Sequence, residues 1–143
     1  ERVTHRRILI DSGPLVALLS ERDQHHHICL AAAGGLYGTF HTSWAVVTEV
    51  AHLLKRDAGS VQKLLAWIRT TELLIQPLAV DDADGIARIL DKYRDQRFDF
   101  ADATLMYLAE RDQMQTVFTI DQRHFALFRT KSHAQLELVP SAS

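Results

Sequence analysis

Five carboxylates stand where their spacing could place them on one chemical task. Asp11 and Asp121 each follow a short apolar run, Ile8-Leu9-Ile10 and Val117-Phe118-Thr119-Ile120. Such runs read as buried strands, and in open α/β sheets sites form in the crevice beyond the carboxyl ends of the strands. Taken singly, each aspartate is equally well read as the cap of a following helix. As a pair at strand ends, they favour a shared site. Glu49 has Ala45, Val46 and Leu53 as its helical neighbours, so its carboxylate leaves an apolar face. An ionised carboxylate there needs a cation, an arginine or an opening onto a cleft. Asp99 and Asp102, three apart, share one side of a helix start. Capping explains Asp99 well, as the N-cap, and Asp102 less well, as the third helical residue.

Carboxylates gathered in one place repel, and hard divalent ions such as Mg²⁺ or Mn²⁺ remove that cost through oxygen ligation. An ion so held keeps waters, which it acidifies, and stabilises a phosphoryl oxygen. That is hydrolytic chemistry on phosphodiesters. Ser12 and Thr119 neighbour the aspartates and are candidates for hydrogen bonds to them or to a metal water. Arg97, Arg123 and His124 flank the proposed site as candidate phosphate contacts or as solvated charges. The run His25-His26-His27 reads as a solvated helix start, because consecutive helical side chains fan apart. His52, Trp44 and Trp67 read as packing residues. No cysteine–histidine pattern points to zinc, and there is no glycine-rich phosphate loop.

The elements that would position these acids alternate. Strands are expected at Arg7–Ile10, Tyr37–His41, Glu72–Pro77, Thr116–Ile120 and Leu136–Val139. Helices are expected over Leu15–Leu19, Gln24–Leu36, Trp44–Arg56, from Val61 through Ile68, from Asp81 or Asp82 through Tyr93, and after Asp99. Ser12 or Gly13 would cap the first, with Pro14 opening it. Gly59-Ser60 would break the third, whose apolar positions lie almost all round it and predict burial on several sides. Alternating strands and helices predict an α/β fold, a three-layer sandwich around a mainly parallel sheet. A single domain over 1–143 suits the length, with 1–6 and 140–143 as flexible ends.

Composition sets limits. The hydrophobic share of 47% and charged share of 24% are ordinary for a soluble domain. The lone cysteine, Cys29, excludes an internal disulfide framework and suits a reducing cytosol, hence a cytoplasmic protein. No apolar run is long enough to span a membrane. A net charge of −2 excludes polyanion binding by overall charge, so a nucleic-acid substrate requires a local basic strip, a partner's charge or metal ions.

Four segments in order, ILIDSGPLVALL, SWAVVTEVAHLL, FDFADATLMYLAE and VFTIDQRHF, resemble the PIN domain, in the form of the ribonuclease toxins of bacterial VapBC-like toxin–antitoxin pairs. The resemblance covers nearly the whole chain. It implies an α/β/α sandwich and a Mg²⁺- or Mn²⁺-dependent site cutting RNA. By motif, it carries catalytic and metal-binding roles onto Asp11, Glu49, Asp102 and Asp121. Asp99 matches an additional metal-binding acid found in part of the family. It also implies a homodimer and a cognate antitoxin partner. The competing reading is a PIN-like module that binds RNA or protein without cutting. Other phosphotransfer folds rank lower, since Asp11-Ser12-Gly13 lacks both the acidic pair of receiver domains and the DxD motif of haloacid-dehalogenase-like phosphatases.

Overall fold

A computed structural model describes residues 5–141, with Ala58 described by its backbone alone. Five strands form one parallel sheet in the order β3-β2-β1-β4-β5. They are β1 (Arg6–Ile10), β2 (Gly38–Thr42), β3 (Leu73–Ile75), β4 (Thr116–Phe118) and β5 (Glu137–Val139). The central strands are the most apolar, and Ile8, Leu9, Val117 and Phe118 are fully buried. The sheet needs cover on both faces, and the connections supply it as helices. Gly38 lies against the backbone of β1, where a Cβ would collide with the Arg6 carbonyl.

The helices are α1 (Ser12–Leu19), α2 (His26–Gly35), α3 (Trp44–Leu53), α4 (Ala58–Arg69), α5 (Ala83–Lys92), α6 (Phe100–Arg111) and α7 (Arg123–Leu127). One group packs α1 against α2 and α4, another packs α6 against α5 and α7, and α3 touches both α1 and α6. The chain steps outward from β1 through β2 to β3, then crosses back to β4 on the other side of β1. The strand order therefore reverses between β1 and β4, which opens a crevice at their carboxyl ends.

Several local expectations are corrected. Asp11, not Ser12 or Gly13, caps α1, so Pro14 is its third residue. The third helix stops at Leu53, and Gly59 and Ser60 lie inside the first turn of α4, because Asp57 accepts from the Ser60 N–H and caps a new helix. β4 ends at Phe118, and Arg6 belongs to β1 rather than to a flexible end. The remainder of that terminal expectation falls on 1–4 and 142–143, outside the described residues, and on 5 and 140–141. Helix α3 is buried on one side only: Val46, Val47 and Val50 are covered while Trp44, Leu53 and His52 are exposed. Trp44 and His52 are thus not packing residues.

Candidate active site

The crevice between β1 and β4 holds a cleft of about 530 Å³ lined by Asp11, Glu49, Asp99, Asp102 and Asp121. The acids arrive from four places in the chain, with Asp99 and Asp102 sharing the start of α6. Asp11 extends β1, its N–H bonded to the Phe118 carbonyl at 2.9 Å. Its Oδ1 accepts from the Ser12 N–H at 2.8 Å, and its Oδ2 from the Thr119 hydroxyl at 3.0 Å. Both carboxylate oxygens are thereby fixed, and Ser12 acts through its backbone. Burial pushes the Asp11 carboxyl up to about 6, against the lowering by those two hydrogen bonds, with Glu49 and Asp99 adding repulsion.

Asp102 sits in the first turn of α6, and its N–H donates to the side chain of Asp99, the N-cap, at 2.8 Å. Burial raises the Asp102 carboxyl to about 7, followed by repulsion from Asp11 and Asp99. Against this acts His124, whose Nδ1 lies 3.2 Å from Asp102 Oδ2. No lysine or arginine is paired with Asp11 or Asp102 among the described residues. Glu49 is half-buried on α3 and faces the cleft. Its helix is locked to α6 by Ser43 and Thr104, whose buried hydroxyls lie 2.8 Å apart. Ser43 also caps α3 by accepting from the Val46 N–H at 3.3 Å.

Asp121 is the outlier. Its carboxylate turns outward to Arg123, which grips Oδ1 and Oδ2 at 2.9 and 2.7 Å and holds the carboxyl down to about 2. With Asp121 gripped and Asp99 engaged as a cap, the five acids share the cleft without closing into a ligand set. Among the described residues, no three Asp, Glu, His or Cys side chains stand close enough to hold one ion. Convergence of all five on one ion is therefore not the arrangement of this structure. The donor set itself suits a hard cation: one buried and one half-buried carboxyl without a lysine or arginine partner, a third facing the same cleft, and carboxylate oxygens throughout.

Arg97 is exposed, adopts a left-handed backbone (φ 54°) and does not line the cleft. Two lining residues escaped the sequence reading. Asp23 accepts from the His25 N–H at 2.8 Å, and both side chains face the cleft, so the histidine run is not wholly solvated. His26 instead lies 2.6 Å from the Ala17 carbonyl through its Nδ1, and only His27 is exposed. The fanning of consecutive side chains is itself the reason that one of the three reaches the site.

The PIN domain family model matches residues 8–130. Ribonuclease VapC26 of Mycobacterium tuberculosis (strain ATCC 25618 / H37Rv) is 29% identical over 136 residues, which span 93% of this chain and all of that protein. Mycobacterium tuberculosis VapC20, a Sarcin-Ricin loop cleaving toxin, superposes with a TM-score of 0.73 at 20% identity, over 80% of this chain and 90% of that one. VapBC2 from Rickettsia felis, solved bound to a DNA fragment from its promoter, gives a TM-score of 0.61 at 13% identity, over 92% and 96%. These structural likenesses speak for the fold.

Proposed function

Since the chain belongs to the PIN domain family, we propose that it is an endoribonuclease and the toxin of a VapBC-like toxin–antitoxin pair. The observation that carries this reading is the pair of buried Asp11 and half-buried Asp102 at the switch point, with carboxyls raised to about 6 and about 7 and no lysine or arginine beside them. The likeness to Ribonuclease VapC26 over all of that protein's length supports it.

Mg²⁺ or Mn²⁺ would be held by Asp11, Asp102 and Glu49, with Asp121 and Asp99 added once their present partners are exchanged. When bound, such an ion supplies charge neutralisation at the phosphate and a more acidic water for attack on phosphorus. The chain's own part is positional. Thr119 and the Ser12 N–H fix both oxygens of Asp11, the Ser43–Thr104 contact fixes Glu49 relative to Asp102, and His124 orients Asp102. The carboxylates serve as ligands rather than as proton carriers. Arg123, exposed at the rim, would meet the substrate phosphates once it releases Asp121.

The same reading makes the protein a homodimer that meets a cognate antitoxin in the cytoplasm. Exposed Leu53 in the cleft wall, and exposed Trp44 and Phe100 on a neighbouring apolar hollow, support a protein partner. No helix among the described residues is long and apolar enough to cross a membrane. The test is cleavage of total cellular RNA with Mg²⁺ or Mn²⁺, comparing the parent with Asp102→Ala. Full activity in Asp102→Ala and Asp11→Ala overturns the assignment. A non-cutting module predicts no metal-dependent cleavage of any RNA and tolerance of Glu49→Gln.

A further inference from the structure

A second concavity, of about 290 Å³, lies away from the acidic cleft, between α5, α6 and the segment after α7. Its charge is opposite. Arg88, Lys92, Arg129 and Lys131 line it against one carboxylate, Glu110, although the whole chain carries a net −2. Arg111 also lines it but is neutralised by Asp112 and Asp82. Among the described residues, no carboxylate pairs with Arg88, Lys92, Arg129 or Lys131.

The cations are arranged as a track rather than a point. Arg88 and Lys92 are four apart on one face of α5, and Lys131 and Arg129 come from the facing wall. Arg129 is held in place, donating from one guanidinium nitrogen to the Ala126 and Phe128 carbonyls at 2.6 and 2.9 Å. Half-buried Tyr93 and Tyr107 form the floor, packed over fully buried Phe128. Gly85 makes room for it, since a Cβ there would collide with the Tyr107 ring. Cations on two facing walls of one groove are the combination that follows a nucleic-acid strand through its phosphates, whatever its bases.

The groove also joins the catalytic side. Tyr93 stacks on Phe98 with ring centres 5.0 Å apart, and Phe98 packs on His124 at 5.1 Å, which in turn touches Asp102. The two sites share their elements: α7 begins with Arg123 and His124 and the chain after it reaches Arg129, and α5 is joined through one turn to Asp99 and α6. We propose that this groove binds the RNA strand flanking the bond to be cut, as a sequence-tolerant exosite that extends the substrate footprint beyond the acidic cleft. The proposal rests on the nuclease reading for its substrate.

The experiment uses the full chain carrying Asp102→Asn, with and without Arg88→Ala, Lys92→Ala and Lys131→Ala together. Anisotropy of labelled single-stranded RNA of about 4 and about 15 nucleotides is followed across a potassium chloride series. The expected result is a loss of roughly tenfold in affinity for the longer RNA, with the salt dependence of log K falling by about 2, and no change for the shorter one. Replacement of the same three positions by the other basic residue (Arg88→Lys, Lys92→Arg, Lys131→Arg) restores binding. Equal binding of the longer RNA with and without the triple alanine change, or equal loss on both lengths, overturns the exosite. So does a poly-glutamate peptide that binds the groove more tightly than the longer RNA. A parent protein that cuts no RNA with Mg²⁺ or Mn²⁺ defeats the nuclease reading, whereas length-dependent binding lost with the three cations still upholds the groove.

Discussion

The two ends of α6 treat their carboxylates in opposite ways. At the carboxyl end, Asp112 accepts two bonds from Arg111 at 2.9 Å and one from Gln76 at 2.8 Å. Asp82 takes the Tyr107 hydroxyl, the Ala79 N–H and Arg111. Both carboxyls are lowered, Asp112 first by Arg111 and Asp82 first by Tyr107. The network extends through Gln76 to buried His41, whose other ring nitrogen meets Thr39 at 2.7 Å. At the amino end, Asp102 and nearby Asp11 are raised, with only His124 as a basic neighbour. Carboxylates that hold the fold together bring their donors with them within the chain. Unlike Asp121 with its Arg123, Asp11 and Asp102 are left short of positive charge, which marks a place for something that arrives.

The largest test of that contrast is activity. Asp11→Ala and Asp102→Ala should each lower RNA cleavage on the order of 10³-fold with circular dichroism near the parent's, and Tm should fall by a few degrees only in Asp11→Ala, which also loses the α1 cap. Asp112→Ala should do the reverse. It removes two of the bonds of Arg111 and the Gln76 amide's acceptor, costs about 2 kcal/mol, and lowers Tm by roughly 4–8 °C, with kcat unchanged. A cleavage defect in Asp112→Ala with normal Tm breaks the division between the two ends.

Acidity sharpens it further. Asp11 and Asp102 hold protons to about 6 and about 7 in the fold, well above the ordinary carboxyl value of 3.8. Raised folded values mean that their contribution is fully present below about pH 4 and lost as pH climbs through 6 to 7. The lowered group of Asp82, Asp112 and Asp121 works in the other direction, losing stability as pH falls through the acid range. Metal-free protein should therefore gain Tm between pH 8 and pH 5, and Mn²⁺ should raise Tm more at pH 8 than at pH 5. Under metal-free conditions at pH 8, Asp102→Asn should be more stable than the parent by about 1 kcal/mol, after discounting for water in the cleft. A flat pH profile with no such gain contradicts the raised carboxyls.

The smallest effect separates two roles of one residue. Asp99→Ser keeps an N-cap oxygen and should change stability by less than about 0.5 kcal/mol, while Asp99→Ala costs about 1 kcal/mol. If Asp99→Ser also cleaves RNA like the parent, Asp99 is a cap alone.

Much of this was legible in the chain. Apolar runs bounded by Gly, Pro and Asp marked all five strands, and the alternation with helices gave the parallel sheet. The end of α3 was not, because Lys55-Arg56-Asp57 turns the chain without glycine or proline, and Asp57 resembles any solvated acid until its cap bond forms. Asp11 was read as a strand end and helix cap separately, though one side chain serves both. The positions of Asp11, Glu49 and Asp102 on one cleft follow from strand order and the α3–α6 contact. The grip of Arg123 on Asp121 depends on side-chain rotation two residues along, which no spacing encodes. Nor does composition reveal the basic groove, since its cations come from stretches about forty residues apart and are cancelled in the net charge.

The sheet's borders carry one more consequence. Both outermost strands, β3 and β5, are only three residues long. Pro77 follows β3 after one residue and Pro140 follows β5 directly, and neither has an N–H to offer a neighbouring strand. So short a fringe of open backbone groups gives an incoming chain almost nothing to zip onto. Whatever restrains or assembles with this protein must therefore recognise it through helix surfaces and side chains, not by lengthening the sheet.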